Sequence, residues 1–212
     1  YRDTAGSTSA GTWSAGGNLI IARFALGSAG AGTQTAGLAF GGIAAATTAA
    51  TEEYNSGTWS NAPSNMIIAR NSLAGAGTQT AALGFGGGTP AVTTATEEYN
   101  SGTWSTAPSN MIIARSALAG AGTQTAALGF GGGTPAVTTA TEEYNSGTWS
   151  TAPSNMIIAR FALAGAGTQT AALGFGGGTP AVTTATEEYN SGTWSTAPSN
   201  MIIARFALAG AG

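Results

Sequence analysis

The chain has 212 residues, with six arginines and no lysine set against nine acidic residues, no histidine and no cysteine, for a net charge of −3. That inventory removes disulfides, zinc–thiolate sites and thiol catalysis, along with the serine and zinc mechanisms that recruit His, Cys or Lys, and it gives no electrostatic reason to expect nucleic acid or an anionic membrane as partner. Thirty-four glycines suggest silk or a linker, but 42% hydrophobic residues with five Trp, five Tyr and seven Phe carry too much apolar payload for a solvated segment, so an ordered protein is expected.

Along the chain the first recognisable motif is TSAGTWS, around Trp13, a degraded version of EEYNSGTWS, which begins at Glu52, Glu97, Glu142 and Glu187. The tetrad IIAR begins at Ile20, Ile67, Ile112, Ile157 and Ile202, so the period is 47 residues once and 45 thereafter. Repeat units run approximately over 11–55, 56–100, 101–145, 146–190 and a partial 191–212. Within a unit, ALAGAG reads as a small apolar strand and TAALGF as a second strand closed by a glycine cluster. VTTATEEY, rich in β-branched residues, reads as a third strand ending at the turn NSG. TWST is a short fourth strand stopped by APSN, where proline ends the ladder. NMIIAR follows as an extended connection. No stretch carries a convincing helical period, and no apolar run reaches the roughly 18–20 residues of a membrane span, so no membrane insertion is expected.

Four strands in about 45 residues predict one blade of a β-propeller. The stretch LGFGGGTPAVTTATEEYNSGTWSTAPSNMIIAR resembles a kelch repeat, through Gly86–Gly87, Tyr99, Trp104, Met111 and Arg115 and their equivalents in the other units. The spacing from Tyr99 to Trp104 is tighter than in usual kelch units. The expected fold is therefore all-β, a β-propeller of four-stranded kelch-like blades with five units visible and incomplete ends. The C-terminal ALAGAG supplies a first strand and the segment around Trp13 an outer one, while nothing in YRDTAGSTSA resembles TAALGFGG. A window cut from a longer array is expected ahead of a reduced fifth blade.

The resemblance implies that Tyr54, Trp59, Tyr99, Trp104, Tyr144, Trp149, Tyr189 and Trp194 pack between neighbouring blades; the competing reading stacks the tryptophans on sugar rings. The glycine cluster precedes no helix and is read as a tight turn, not a phosphate cradle. On an alternating strand Glu97 and Glu98 point to opposite faces, so they form no acid/base dyad. Each unit offers one Arg and two Glu, so structural ion pairs are expected among Arg70, Arg115, Arg160, Glu97, Glu142 and Glu187. Calcium held by backbone carbonyls and one carboxylate is the alternative; no metal or cofactor is assigned. Glycoside hydrolysis needs a carboxylate pair in differentiated environments, which nearly identical copies do not offer, so no enzyme is expected.

The informative difference between units is the residue after each Arg: Phe24, Asn71, Ser116, Phe161 and Phe206. It falls where one unit feeds the next, sharing a face with the GGTPAVT loop, and is the candidate ligand-binding position. Gly/Ala/Thr-rich kelch-like repeats resemble those of phage tail-associated and bacterial surface proteins. The resemblance implies an extracellular or virion-associated adhesion module, with a cell-surface glycan bound at several equivalent sites. The alternative is a structural virion or filament component whose partner is protein, including a homo-oligomer.

Overall fold

A computed structural model describes residues 15–29 and 32–210; the motif around Trp13 lies outside the described residues. Four antiparallel four-stranded sheets follow one another, with no helix among the described residues. The first contains β1 (Gly27–Ser28), β2 (Ala36–Phe40), β3 (Thr51–Asn55) and β4 (Thr58–Asn61). The second contains β5 (Ala74–Gly77), β6 (Ala81–Phe85), β9 (Thr96–Asn100) and β10 (Thr103–Thr106), with the two-residue strands β7 (Gly88–Thr89) and β8 (Ala91–Val92) paired outside it. The third repeats this as β11 (Ala119–Gly122), β12 (Ala126–Phe130), β15 (Thr141–Asn145) and β16 (Thr148–Thr151), with β13 (Gly133–Thr134) and β14 (Ala136–Val137) outside. The fourth has β17 (Ala164–Gly167), β18 (Ala171–Phe175), β21 (Thr186–Asn190) and β22 (Thr193–Thr196), with β19 (Gly178–Thr179) and β20 (Ala181–Val182) outside.

Each sheet runs from the small-residue strand to the tryptophan strand, in chain order. The sheets are therefore out of phase with the units bounded at 55/56, 100/101 and 145/146, which fall in the turns between the third and fourth strands. The third strand is shorter than VTTATEEY suggests. Gly86 and Gly87, at φ of 66° and 90°, turn the chain out of the sheet, so the segment around Pro90 forms its own small ladder and the third strand starts at Thr96. The NMIIAR segment is neither strand nor helix and is pinned by the Met111 amide donating to Thr94 O.

The AGAG sequence is explained by how close the first strands lie. A Cβ added at Gly120 would sit 2.5 Å from Gly75 O and 2.9 Å from the Phe85 ring; at Gly165 it would meet Gly120 O and Phe130 in the same way. Ala119 and Ala121, on the alternate positions, are buried. Each interval between sheets is then filled by one cluster, such as Leu83 and Phe85 of the second sheet and Met111 just after it, with Ala127, Tyr144 and Trp149 of the third sheet.

The aromatic pairs differ in environment. Tyr99, Trp104, Tyr144, Trp149, Tyr189 and Trp194 are buried. Tyr54 and Trp59 pack on each other with ring centroids 5.2 Å apart but stay half-exposed, because no described sheet covers that side of the first one.

Candidate functional site

Two polar stations recur along the repeat, the first four times and the second three times among the described residues. In the first, the Arg ending IIAR folds back over the end of the sheet that follows it. Arg115 donates through Nη2 to Glu142 Oε1 at 2.8 Å, and through Nη1 to Gly131 O and Ala140 O at 2.9 and 2.6 Å. Glu142 also accepts the amides of Ile112 and Ile113. Arg70–Glu97 and Arg160–Glu187 repeat the pair at 2.8 Å, and Arg23–Glu52 forms a fourth. These guanidinium groups are wholly enclosed, and burial draws the pKa of Arg115 below the ordinary arginine value while Glu142 opposes the shift. Both oxygens of each such carboxylate accept from N–H donors, so the group is arranged for a cation already in the chain, not for calcium. Among the described residues, no group of three or more Asp or Glu is placed to hold a metal ion.

The second station joins successive sheets. Tyr144 Oη donates to Glu98 Oε1 at 2.6 Å, Trp149 Nε1 to Thr96 Oγ1 at 3.0 Å, and Gln124 Nε2 to Tyr99 O at 2.7 Å. The Trp149 ring lies 5.0 Å from Phe85. The two glutamates of a pair thus serve different neighbours: Glu97 the Arg of its own unit, Glu98 the Tyr of the next. With Nε1 engaged and the ring enclosed, Trp104, Trp149 and Trp194 present no open face for a sugar.

The loops at one end of every sheet carry the residues that vary between units. The register puts Ala119, Phe130, Thr141 and Thr151 near that end and the NSG turns at the other. Here Asn71, Ser116 and Phe161 exchange backbone hydrogen bonds with Gly88, Gly133 and Gly178, so the variable residue seats the small ladder of its own unit. Phe24 bridges Ile43, and Phe206 is exposed with no bridge among the described residues. Asn71 additionally donates to Thr47 Oγ1 of the unit before it, at 3.1 Å. Between Phe161 and Ser116 lies a depression of about 290 Å³, closed by Val92, Pro135 and Val137.

Two features of this end were not singled out in the sequence. Ile67, Ile112 and Ile157 are more than half exposed, with Ile68, Ile113 and Ile158 beside them. The signal was present as an apolar pair at a constant place in every unit, but apolar pairs ordinarily read as core. A cavity of about 440 Å³ is bordered by Leu26, Leu73, Leu118, Leu163 and Leu208, one from each unit. Beside it the amides of Ser72, Ala117, Ala162 and Ala207 each donate to the equivalent carbonyl one unit earlier, at 2.7 or 2.8 Å. These residues have φ near +50°, a region rarely visited by alanine. No protein-family model matches the chain, and no curated protein matches it. Among the described residues, no helix is long and apolar enough to cross a membrane.

Proposed function

We propose that the units are sectors of a kelch-like β-propeller and that the protein is a non-enzymatic recognition module, extracellular or virion-associated as in phage tail or bacterial surface proteins. The observation that carries this reading is the depression between Phe161 and Val137. It is shallow and apolar, and it is built beside the residue after each Arg, where the units carry Phe, Asn or Ser, on loops held by a rigid repeated scaffold. The sharing of one leucine-lined cavity by all five units supports the propeller arrangement. A cell-surface glycan held at several such seats gains strength from multivalency rather than from any single contact. The absence of enzymatic activity in this reading is supported by the glutamates: those of the ion pairs are committed to arginine, and Glu53, Glu98 and Glu143 accept from tyrosine. Glycan-array binding is the test. Phe161→Ala is expected to lower binding while the melting temperature holds; unchanged binding, or no binding by the parent protein, would refute the reading.

The exposed isoleucines favour a second reading, a structural virion or filament component whose partner is protein, including copies of itself. Ile112→Ser with Ile157→Ser would then abolish self-association in sedimentation velocity while leaving glycan binding unaltered.

A further inference from the structure

The leucine-lined cavity of about 440 Å³ takes no part in glycan recognition. Its border is made of leucine and alanine, with Ser28 and Ser72 the two exceptions, and no charged residue reaches it. Ser72 Oγ is already engaged with Asn71 Oδ1 at 3.1 Å. The backbone alongside is satisfied too, because the carbonyls of Ala25, Ser72, Ala117 and Ala162 accept the equivalent amides one unit later. A space walled in carbon does not offer ordered water the roughly two to four polar partners it needs.

The wall also carries backbone strain. Ala25, Ser72, Ala117, Ala162 and Ala207 hold φ between 50° and 54°, where glycine would sit at no steric cost. The chain uses 34 glycines, yet it keeps a Cβ at all five of these positions, and all five border the cavity. Strain of this kind gathers at ligand sites. Here it sets a row of small side chains on the wall.

A second cavity of about 130 Å³ adjoins the first and shares its leucines, but its border includes Gly75, Gly120 and Gly165. The amides of Thr78, Thr123 and Thr168 donate to Ala81 O, Ala126 O and Ala171 O. Bonding alternates along an antiparallel pair, so in the observed registers these three glycines turn their N–H and C=O groups away from their own sheets. The smaller cavity is therefore bordered by backbone donors and acceptors, again with no charged residue.

We propose that the two cavities together bind one neutral aliphatic molecule with a hydroxyl at one end. Its chain lies among the leucines, and its hydroxyl donates to a carbonyl and accepts an amide of the glycine backbone. The combined space falls in the roughly 300–1,000 Å³ range of small-molecule sites. A carboxylate or ammonium at the same place would be buried without a counter-charge, which is costly.

The test is isothermal titration of the full chain with 1-octanol, octanoate and octylammonium at neutral pH. One-to-one binding of 1-octanol is expected, with each charged analogue weaker by about tenfold or more. Ala162→Leu should abolish binding, since the Cβ already stands at this φ and the longer side chain fills the space. Ala25→Leu is the independent second variant should the first fail to fold. 1-Octanol should raise the melting temperature of the parent and leave that of either variant unchanged. No binding, equal affinity for the three compounds, or binding of several equivalents that neither variant reduces overturns the proposal. Binding that appears only after residues 1–14 are removed also overturns it, in favour of the chain's own segment as the occupant. Glycan recognition is tested separately, because Phe161 and Val137 border neither cavity.

Discussion

Tyr144 hands its hydroxyl proton to a bond with Glu98 of the preceding sheet, 46 residues away, and Tyr99–Glu53 and Tyr189–Glu143 repeat the link at the same separation. Burial first, and the facing carboxylate second, push each of these phenols above its ordinary pKa. The folded state therefore holds the proton more tightly than the unfolded chain, in which tyrosine titrates near about 10. The resulting stabilisation is whole below that pH and is lost as pH rises through and beyond it. Thermal melts followed by circular dichroism should show a steep fall in melting temperature above about pH 10. Replacing all three tyrosines by Phe should flatten that fall and lower the neutral-pH value, at about 1–3 kcal/mol for each bond removed.

Gly120 and Gly165 are required for space. Their own φ values are negative, but a methyl group at either would meet a carbonyl oxygen at 2.5 Å and a phenylalanine ring within 3 Å. The neighbouring strand is backbone and cannot yield as a flexible side chain can. Gly120→Ala is expected to destabilise by about 1–3 kcal/mol, the range for overpacking, read as a shift in the urea midpoint at unchanged slope. Ala119→Gly, on the opposite face, removes a buried methyl and should cost less.

The buried ion pair makes a prediction of a different kind. Arg115 fills the end of its sheet with three hydrogen bonds besides the one to Glu142, so removing either charge strands the other in an enclosed site. Arg115→Met or Glu142→Leu alone should cost about 3–5 kcal/mol, and the double replacement less than the sum. Because the pair is shielded from solvent, the parent's melting temperature should respond little to added sodium chloride, unlike that of a protein held by surface pairs.

Much of the scaffold was legible because each strand end carries its own chemistry. NSG marks a hairpin, proline stops the fourth strand, and alternation puts Glu97 and Glu98 on opposite faces. Which neighbour each glutamate meets was not legible. Identical copies offer a Tyr one residue along the strand and another 46 residues on, and only the stacking of sheets selects the second. The small ladder around Pro90 was hidden for another reason: its pairing follows from two successive glycines at positive φ, a backbone property that side-chain patterns do not report. The leucine-lined cavity was hidden because a leucine beside an AGAG strand has the same pattern whether it faces a packed core or a cavity. At the candidate site, the variable residue after each Arg could be picked out by comparing the copies. The depression beside it could not, since it needs Val92, Ser116 and Phe161 brought together from three units.

The turn Asn100–Ser101–Gly102–Thr103 joins the third and fourth strands with Asn100 opposite Thr103, and both central residues have positive φ, 41° and 102°. That is the type I′ geometry, whose twist matches the flanking strands. Glycine is at ease in the second position, where its neighbour is Pro63 of the preceding unit. Serine in the first is not, because an L side chain in the left-handed region carries a steric cost that asparagine offsets by local hydrogen bonding. The Ser101 amide must be kept, since it donates to Thr80 O at 2.8 Å. Ser101→Asn meets both conditions and should stabilise by about 0.5–1 kcal/mol. Ser56, Ser146 and Ser191 occupy the same conformation in separate sheets, so the four substitutions should add. Ser101→Pro removes the amide and demands a negative φ, so it should destabilise where asparagine stabilises. Chemical denaturation of the two variants beside the parent decides it: if both lower the midpoint, the turn is not limited by serine's backbone.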